Sequence, residues 1–168
     1  MTQPTSAELE ANIIRFAEIG DRKSHYRPRD MLLPRFERDR FSVIGRPGEG
    51  STKGKALGDV KAFSIVYLRI EPGKGLASHA HASAEVFVVM SGQWEIDVEG
   101  TKTILGPMDV ISVPPDLFHG ARNIGTETAV MMAINEGQTG VPIRLDPAIL
   151  AELATGGHVV SDPDYPPR

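Results

Sequence analysis

Short runs of hydrophobic residues, separated by glycine and proline, dominate the middle of the chain. The clearest runs are AFSIVYLRI (62–70), EVFVVM (85–90), WEIDV (94–98), DVISV (109–113) and AVMMAI (129–134). Each has the length of one β-strand, and turn-forming pairs such as Pro-Gly and Ser-Gly lie between them. Regularly spaced short strands of this kind are typical of an all-β sandwich or barrel.

Helical patterns are confined to the two ends of the chain. Thr5 and Glu8 have capping-box spacing, and apolar residues at helical spacing follow, so a helix is predicted over 6–19. Asp146 followed by Pro147 predicts the start of a second helix, which Gly156 or Gly157 ends. We expect one domain with three parts: a helix and extended arm over 1–61, a barrel over 62–136, and a helix and tail over 137–168.

Two stretches of the arm carry no clear periodicity. The charge-rich segment 35–40 is expected to be irregular and either solvated or partner-facing. The segment 45–58 holds five glycines, but their spacing does not fit a phosphate-binding P-loop. We expect a flexible loop there, with a lid over a pocket as its functional alternative.

Composition narrows the class of protein. The chain has 168 residues, of which 40% are hydrophobic and 24% charged, which is typical of a soluble globular domain. Its net charge of -4 is spread along the chain without a basic stripe, so nucleic acid is not an expected partner.

No apolar run is long enough to span a membrane, and the polar N-terminus does not resemble a signal peptide, so the expected location is cytoplasmic. The absence of cysteine excludes disulfides and thiolate metal sites.

Three histidines and a glutamate stand out within the β-rich segment. His79 and His81 are two residues apart and share one face of an extended strand, and Glu85 has the same parity if the extended run is unbroken. His119 follows Pro114 and Pro115, where a new strand is expected to begin. Imidazoles and a carboxylate that converge inside a barrel suit a divalent transition metal (Fe, Mn, Ni, Zn or Cu). Four such ligands leave two positions of an octahedral metal open.

The spacing around these residues resembles the two conserved motifs of the cupin superfamily. Gly73-x5-His79-x-His81-x3-Glu85-x6-Gly92 matches the first motif position for position. The second motif, Gly-x5-Pro-x-Gly-x2-His-x3-Asn, resembles Met108-x5-Pro114-x-Asp116-x2-His119-x3-Asn123, with Met108 and Asp116 in place of two glycines. The resemblance covers about residues 62–136. It implies a double-stranded β-helix (a jelly-roll barrel), with short helices at both ends of the chain, and a single metal held by His79, His81, Glu85 and His119.

The resemblance leaves the reaction open, because cupins host many chemistries. We expect a small-molecule enzyme, most simply a mononuclear Fe(II) dioxygenase acting on an organic acid or phenol. A non-redox metal-dependent lyase, decarboxylase or isomerase is one alternative. A metal-dependent module that binds a small molecule without converting it is the other.

Parity suggests further pocket residues and an assembly. Phe87 and Val89 share the parity of Glu85, while Val86, Val88 and Met90 alternate to the other side of the same strand. Both sides are apolar, so we expect a covered outer face and a homodimer. Other possible pocket residues are Tyr67, Arg69 and Asp116.

Overall fold

The computed structural model describes residues 3–19, 29–45, 57, 60–137 and 142–158. Ten β-strands form the body of the fold, and they lie in two five-stranded sheets. The strands are β1 (Asp39–Ile44), β2 (Phe63–Ile70), β3 (Gly75–Ala80), β4 (Glu85–Val89), β5 (Trp94–Val98), β6 (Thr101–Leu105), β7 (Val110–Val113), β8 (His119–Asn123), β9 (Ala129–Glu136) and β10 (Arg144–Leu145).

The two sheets interleave strands that are distant in sequence. The first sheet has the order β1-β2-β9-β4-β7 and the second has the order β10-β3-β8-β5-β6, with every named pair antiparallel. Alternating residues of both sheets pack into one hydrophobic core, to which the first sheet contributes Phe87 and Met131 and the second contributes Trp94 and Ile96. This architecture confirms the predicted all-β, double-stranded β-helix.

Three helices lie at the ends of the chain: α1 (Ser6–Ala11), α2 (Phe16–Ile19) and α3 (Pro147–Thr155). The predicted capping box is present, since the Thr5 side chain accepts from the Glu8 backbone and the Glu8 carboxylate accepts from the Thr5 backbone. The predicted single helix over 6–19 is wrong, because the chain leaves the helix at Asn12. The Asn12 side-chain amide donates to the carbonyl of Glu8 and so ends α1 with a local bond. α3 is capped by Asp146 as predicted, and it ends at Gly156.

The described residues of the arm include regular structure that the sequence did not predict. Two short 3₁₀ helices, Arg29–Leu32 and Pro34–Phe36, precede β1, which pairs with β2 at the edge of the first sheet. Within the charge-rich segment, Arg38 is buried rather than solvated, because its guanidinium donates to the buried carboxylate of Asp30 at 2.8 Å. Most of the glycine-rich segment 45–58 lies outside the described residues.

Two turns contain a non-glycine residue in the left-handed backbone conformation that glycine usually adopts. Met108 has φ +72° and Asp116 has φ +66°, and these are the positions at which the second motif departs from glycine. A left-handed conformation costs an L-residue about 1–2 kcal/mol. Hydrogen bonds hold both turns, since the amide of Met108 donates to Val89 and that of Asp116 donates to His81, each at 2.8 Å. Met108 and Asp116 therefore adopt the backbone conformation expected of the motif glycines, with some strain. No described helix is long and apolar enough to cross a lipid bilayer.

Candidate metal centre

The four predicted ligands meet between the two sheets. His79 lies on β3, His81 follows β3 directly, and His119 begins β8, all on the second sheet or beside it. Glu85 begins β4 and therefore faces them from the first sheet. One candidate ligand atom from each side chain lies within 4.8 Å of the others.

Shared parity is not what brings Glu85 to the histidines. The extended run predicted from His79 to Glu85 is broken, because β3 ends at Ala80 and the chain turns across to the other sheet before β4 begins. His79 and His119 are register partners on adjacent strands, and their ring centroids lie 4.5 Å apart. The cluster therefore depends on the crossing between sheets and on the pairing of β3 with β8.

Backbone carbonyls orient all three imidazole rings. The Nδ1 atoms of His79, His81 and His119 lie 2.8, 2.8 and 2.9 Å from the carbonyl oxygens of Ala77, Ser83 and Leu117. A carbonyl oxygen only accepts, so each Nδ1 carries a proton and donates it. In the neutral rings Nε2 is then the atom with the free lone pair, and this is the tautomer that a metal requires.

The Nε2 atoms of two rings face a single carboxylate oxygen. Oε2 of Glu85 lies 3.0 Å from Nε2 of His81 and 2.9 Å from Nε2 of His119. Lone pairs that face one another at these distances repel unless a cation, either a proton or a metal ion, lies between them. The cluster is chemically a cation site of three nitrogens and one oxygen, and it fits one divalent transition metal ion.

Burial and neighbouring charges shift the proton affinities of the cluster in different directions. Burial lowers the pKa of His79 to about 4, and the adjacent His119 acts in the same direction. Burial also disfavours the charged form of His81, but the hydrogen bond and negative charge of Glu85 outweigh it and raise the pKa of His81. Burial likewise opposes ionisation of Glu85, yet hydrogen bonds from His119 and His81 hold its pKa well below the usual range. The cluster therefore keeps a negative charge and attracts a positive one.

Asn135 is a supporting residue that the sequence did not indicate. Its Nδ2 donates to Oε1 of Glu85 at 3.0 Å, which leaves Oε2 facing the histidines. Asn135 lies on β9 as the register partner of Glu85, fifty residues away along the chain. Only the pairing of β4 with β9 brings the two together, so no local sequence signal could have identified the contact.

The other predicted pocket residues divide into two groups. Phe87 is fully buried with its ring 5.8 Å from that of His119, whereas Val89 lies further along β4 in the hydrophobic core. Asp116 is an exposed turn residue whose backbone amide donates to the carbonyl of His81.

The prediction that Tyr67 and Arg69 line the pocket is not met. Val66 and Leu68 are the buried residues of this part of β2, so Tyr67 and Arg69 point away from the core. Tyr67 packs against Phe16, and Arg69 pairs with Asp39 at 2.6 Å.

A separate cavity of about 590 Å³ lies on the outer side of the second sheet. None of the four clustered residues lines it. Its wall includes Glu95, which accepts from Lys102 at 3.2 Å and from Arg122 at 3.3 Å. Three basic side chains (Arg35, Lys102 and Arg122) and four acidic ones (Glu95, Asp97, Glu99 and Asp146) line this cavity. The charges nearly balance, so they do not mark a second candidate for a charged ligand.

Comparison with known proteins agrees with this fold. Residues 66–135 match the family model of the cupin domain. A 5-nitrosalicylic acid 1,2-dioxygenase from a Bradyrhizobium species is 29% identical over 89 residues, which are 53% of this chain and 42% of that protein. Polyketide synthase CurC from Streptomyces cyaneus is 34% identical over 64 residues, which are 38% of this chain and 42% of that protein. Each alignment thus spans less than half of the relative's own length.

A solved structure extends the similarity of fold beyond the matched domain. An uncharacterized conserved protein with a double-stranded β-helix domain from Klebsiella pneumoniae superimposes with a TM-score of 0.59 at 23% identity. The superposition covers 85% of this chain and 98% of that one. At this identity the likeness concerns the fold alone, and it agrees with the two interleaved sheets. Residues 66–135 of this chain form a cupin domain.

Proposed function

We propose that the chain is a metal-dependent enzyme acting on a small organic acid or phenol, with the metal held by His79, His81, Glu85 and His119. The observation that carries this proposal is the shared orientation of the rings: each Nδ1 is committed to a carbonyl, and the ligand atoms converge within 4.8 Å. When bound, a divalent metal supplies Lewis acidity and, if it is iron, redox chemistry.

Other residues of this chain would orient the ligands and exclude water from the site. Asn135 fixes the Glu85 carboxylate so that one oxygen faces the metal position. Phe87 and Val113 flank Glu85 on the inner face of the first sheet, where they exclude water and strengthen electrostatic interactions. The inner surface beside the ligands thus consists of apolar groups and an amide.

An Fe(II) dioxygenase is the reaction class we favour. The groups nearest Glu85 on the inner face, Asn135, Val113 and Phe87, do not exchange protons near neutral pH, which suits chemistry centred on the metal. A lyase would need a positioned general acid or base. The similarity to a 5-nitrosalicylic acid 1,2-dioxygenase supports the same choice.

The similarity to a polyketide synthase supports the alternative, a non-redox metal-dependent lyase, decarboxylase or isomerase. In that case a carbonyl compound would be converted without O2, with Zn, Mn or Ni in the site. Ligand binding without turnover is the third outcome.

One experiment separates these outcomes. The purified protein is analysed for metal, stripped, loaded anaerobically with Fe(II), and screened for O2 uptake with catechols, hydroxybenzoates, diketones and thiols. The dioxygenase proposal expects uptake that depends on both iron and substrate, and that is lost in His119→Ala. Iron bound at one ion per chain without uptake for any substrate would overturn the dioxygenase. Product formation without O2 in the Zn- or Mn-loaded protein would establish the alternative.

We also infer that two copies associate through the outer face of the first sheet. Its outward residues on β2, β9, β4 and β7 are mostly apolar, and the charged ones, Arg69 and Glu136, lie near opposite ends of the face. The others are Phe63, Ile65, Tyr67, Val130, Met132, Ile134, Val86, Val88, Val110 and Ser112, with Met90 just after β4. Four strands about 4.8 Å apart, each with outward apolar residues spread over about 7–13 Å, present roughly 200 Å² in projection. Met90 and Val110 are 45% and 59% exposed.

The N-terminal segment supplies complementary apolar surface. Phe16 packs on Phe41 and Tyr67 at one end of this face, while Leu9 and Ile13 remain 53% and 43% exposed on α1 and just after it. A six-residue helix without buried residues is not stable by itself. A second copy placed by two-fold symmetry would cover the helix and the sheet face together, bringing the interface toward the roughly 800 Å² per partner of stable complexes. A cytoplasmic location is proposed on the sequence alone.

A further inference from the structure

The geometry points to a substrate-anchoring subsite formed by Ser64 and Asn135, beside the metal centre. This inference rests on the proposed function, because it concerns the far end of a small molecule whose near end faces the metal. It deepens that proposal by naming the side chains that would select the substrate.

Ser64 carries a buried hydroxyl with no protein partner. The residue is 1% exposed, and no group in the described part of the chain lies within hydrogen-bond distance of its Oγ. An unsatisfied buried hydroxyl costs about 1–3 kcal/mol, so buried polar groups in proteins are almost always paired. The inward positions that follow on β2 are Val66, Leu68 and Ile70, all apolar. The serine is therefore a polar exception that a bound group would explain.

Strand pairing places this hydroxyl in line with a metal ligand. Ser64 on β2 is the register partner of Asn135 on β9, and Asn135 is in turn the partner of Glu85 on β4. The three residues form one row across the inner face, with Asn135 in the middle. Adjacent strands lie about 4.8 Å apart, so the backbones of Ser64 and Glu85 are about 10 Å apart. A single substituted aromatic ring bridges the gap between the metal position and the Ser64 hydroxyl.

The groups along the row define the chemistry of the ligand. Nδ2 of Asn135 donates one hydrogen to Glu85 and has a second, and the Ser64 hydroxyl can donate its own. Both therefore suit an acceptor oxygen such as that of a carboxylate. The next row along the same strands consists of Val66, Ala133 and Phe87, an apolar strip against which a ring can lie. These features fit an aromatic hydroxy acid, with one oxygen toward the metal and another toward Ser64.

Binding of para-hydroxybenzoate by the full chain loaded with Co(II) tests the subsite, because its phenol and carboxylate oxygens lie at opposite ends of one ring. Affinity is measured from the visible absorption of the cobalt in the wild type, in Ser64→Ala and in the control Ser42→Ala. The hydroxyl of Ser42 also lacks a protein partner, but it lies on the edge strand β1, three strands from β4. We expect Ser64→Ala to bind para-hydroxybenzoate about three- to tenfold more weakly, the equivalent of one lost hydrogen bond. Ser42→Ala is expected to bind like the wild type.

Thermal stability of the ligand-free protein gives a second readout. Removing a hydroxyl that has no partner leaves stability unchanged or raises it, so Ser64→Ala is expected to keep or exceed the wild-type Tm. A lower Tm together with unchanged para-hydroxybenzoate affinity would show that the hydroxyl binds a structural water, and would overturn the subsite. Equal weakening in both serine variants, or no binding of para-hydroxybenzoate by the loaded wild type, would also overturn it.

Failure of the subsite is distinguishable from failure of the proposed function. If the wild type does not retain Co(II) or Fe(II), the metal centre itself is wrong. If it retains iron and consumes O2 while Ser64→Ala binds para-hydroxybenzoate as the wild type does, only the subsite is wrong.

Discussion

Replacing Glu85 by glutamine tests the electrostatic account of the cluster, because it removes the charge and keeps the shape. In the metal-free protein at pH 8 the carboxylate faces two imidazole lone pairs at 3.0 and 2.9 Å. A glutamine amide can instead donate a hydrogen to one of them. We therefore expect metal-free Glu85→Gln to be at least as stable as the metal-free wild type at this pH.

The metal-loaded proteins should behave in the opposite way. At a free metal concentration of 100 times Kd, metal stabilises the wild type by about 2.7 kcal/mol. For a chain of this size, 1 kcal/mol shifts Tm by about 2–4 °C, so metal should raise the wild-type Tm by about 5–11 °C. Losing the only anionic ligand is expected to weaken binding at least about 100-fold, which leaves about 0.4 kcal/mol and a shift of about 1–2 °C at the same metal concentration.

Calorimetry with and without Mn(II) or Zn(II) measures both quantities. Asp116→Asn is the matched control, since it also removes one carboxylate charge near His81 and keeps the backbone amide that donates to the carbonyl of His81. That variant should keep the full metal shift. An equal metal-induced rise in Tm for Glu85→Gln and the wild type would refute the assignment of Glu85 as a ligand.

Three further predictions concern the same features. The pKa of His81 is raised in the folded state, so its proton stabilises the metal-free fold below about pH 6.5, and this stability is lost as pH rises through the raised pKa. Because metal must displace that proton, the metal-induced rise in Tm measured by calorimetry should be larger at pH 8 than at pH 6. An equal rise at both pH values would contradict this coupling. Met108→Gly should raise the free energy of unfolding by about 1 kcal/mol in urea titrations, because glycine adopts φ +72° without strain, whereas Met108→Ala should not. Val88→Asp should give a monomer in light scattering while retaining metal, because it places a charge on the outer sheet face; a dimer that persists would contradict that interface.

The sequence predicted the strands with the strongest apolar runs and missed those without them. β2, β4, β5 and β7 fall within the predicted runs with ends that differ by at most one residue, whereas β9 extends two residues beyond its run. β6 has the sequence TKTIL at an exposed sheet edge and shows no buried apolar pattern. β1 buries Phe41 and Val43, but it begins with Asp39 and Arg40 in the charge-rich segment, which obscured its pattern. β3 contains Gly75, where any side chain would place a Cβ in collision with the carbonyl of Ala121. Close backbone packing, rather than the β-propensity of its residues, therefore defines this strand.

The sequence predicted the ligands of the candidate site, but not the groups that hold those ligands in position. The ligand set followed from the motif spacing, because histidine and glutamate are distinctive residues at fixed separations. The ring-orienting groups are backbone carbonyls of Ala77, Ser83 and Leu117, which any residue could provide. The contact of Asn135 with Glu85 depends on the register between two strands. Tyr67 could not be placed from the sequence because both faces of β2 carry apolar residues.

Metal stoichiometry tests the central claim most directly. Wild-type protein and His81→Ala are saturated with Fe(II) under anaerobic conditions, freed of unbound metal by gel filtration, and analysed by inductively coupled plasma mass spectrometry. Circular dichroism checks that the variant is folded. We predict one iron per wild-type chain and a small fraction of that in the variant, because His81 presents its Nε2 to the centre of the cluster. A folded His81→Ala protein that retains one iron per chain would contradict the assigned metal centre.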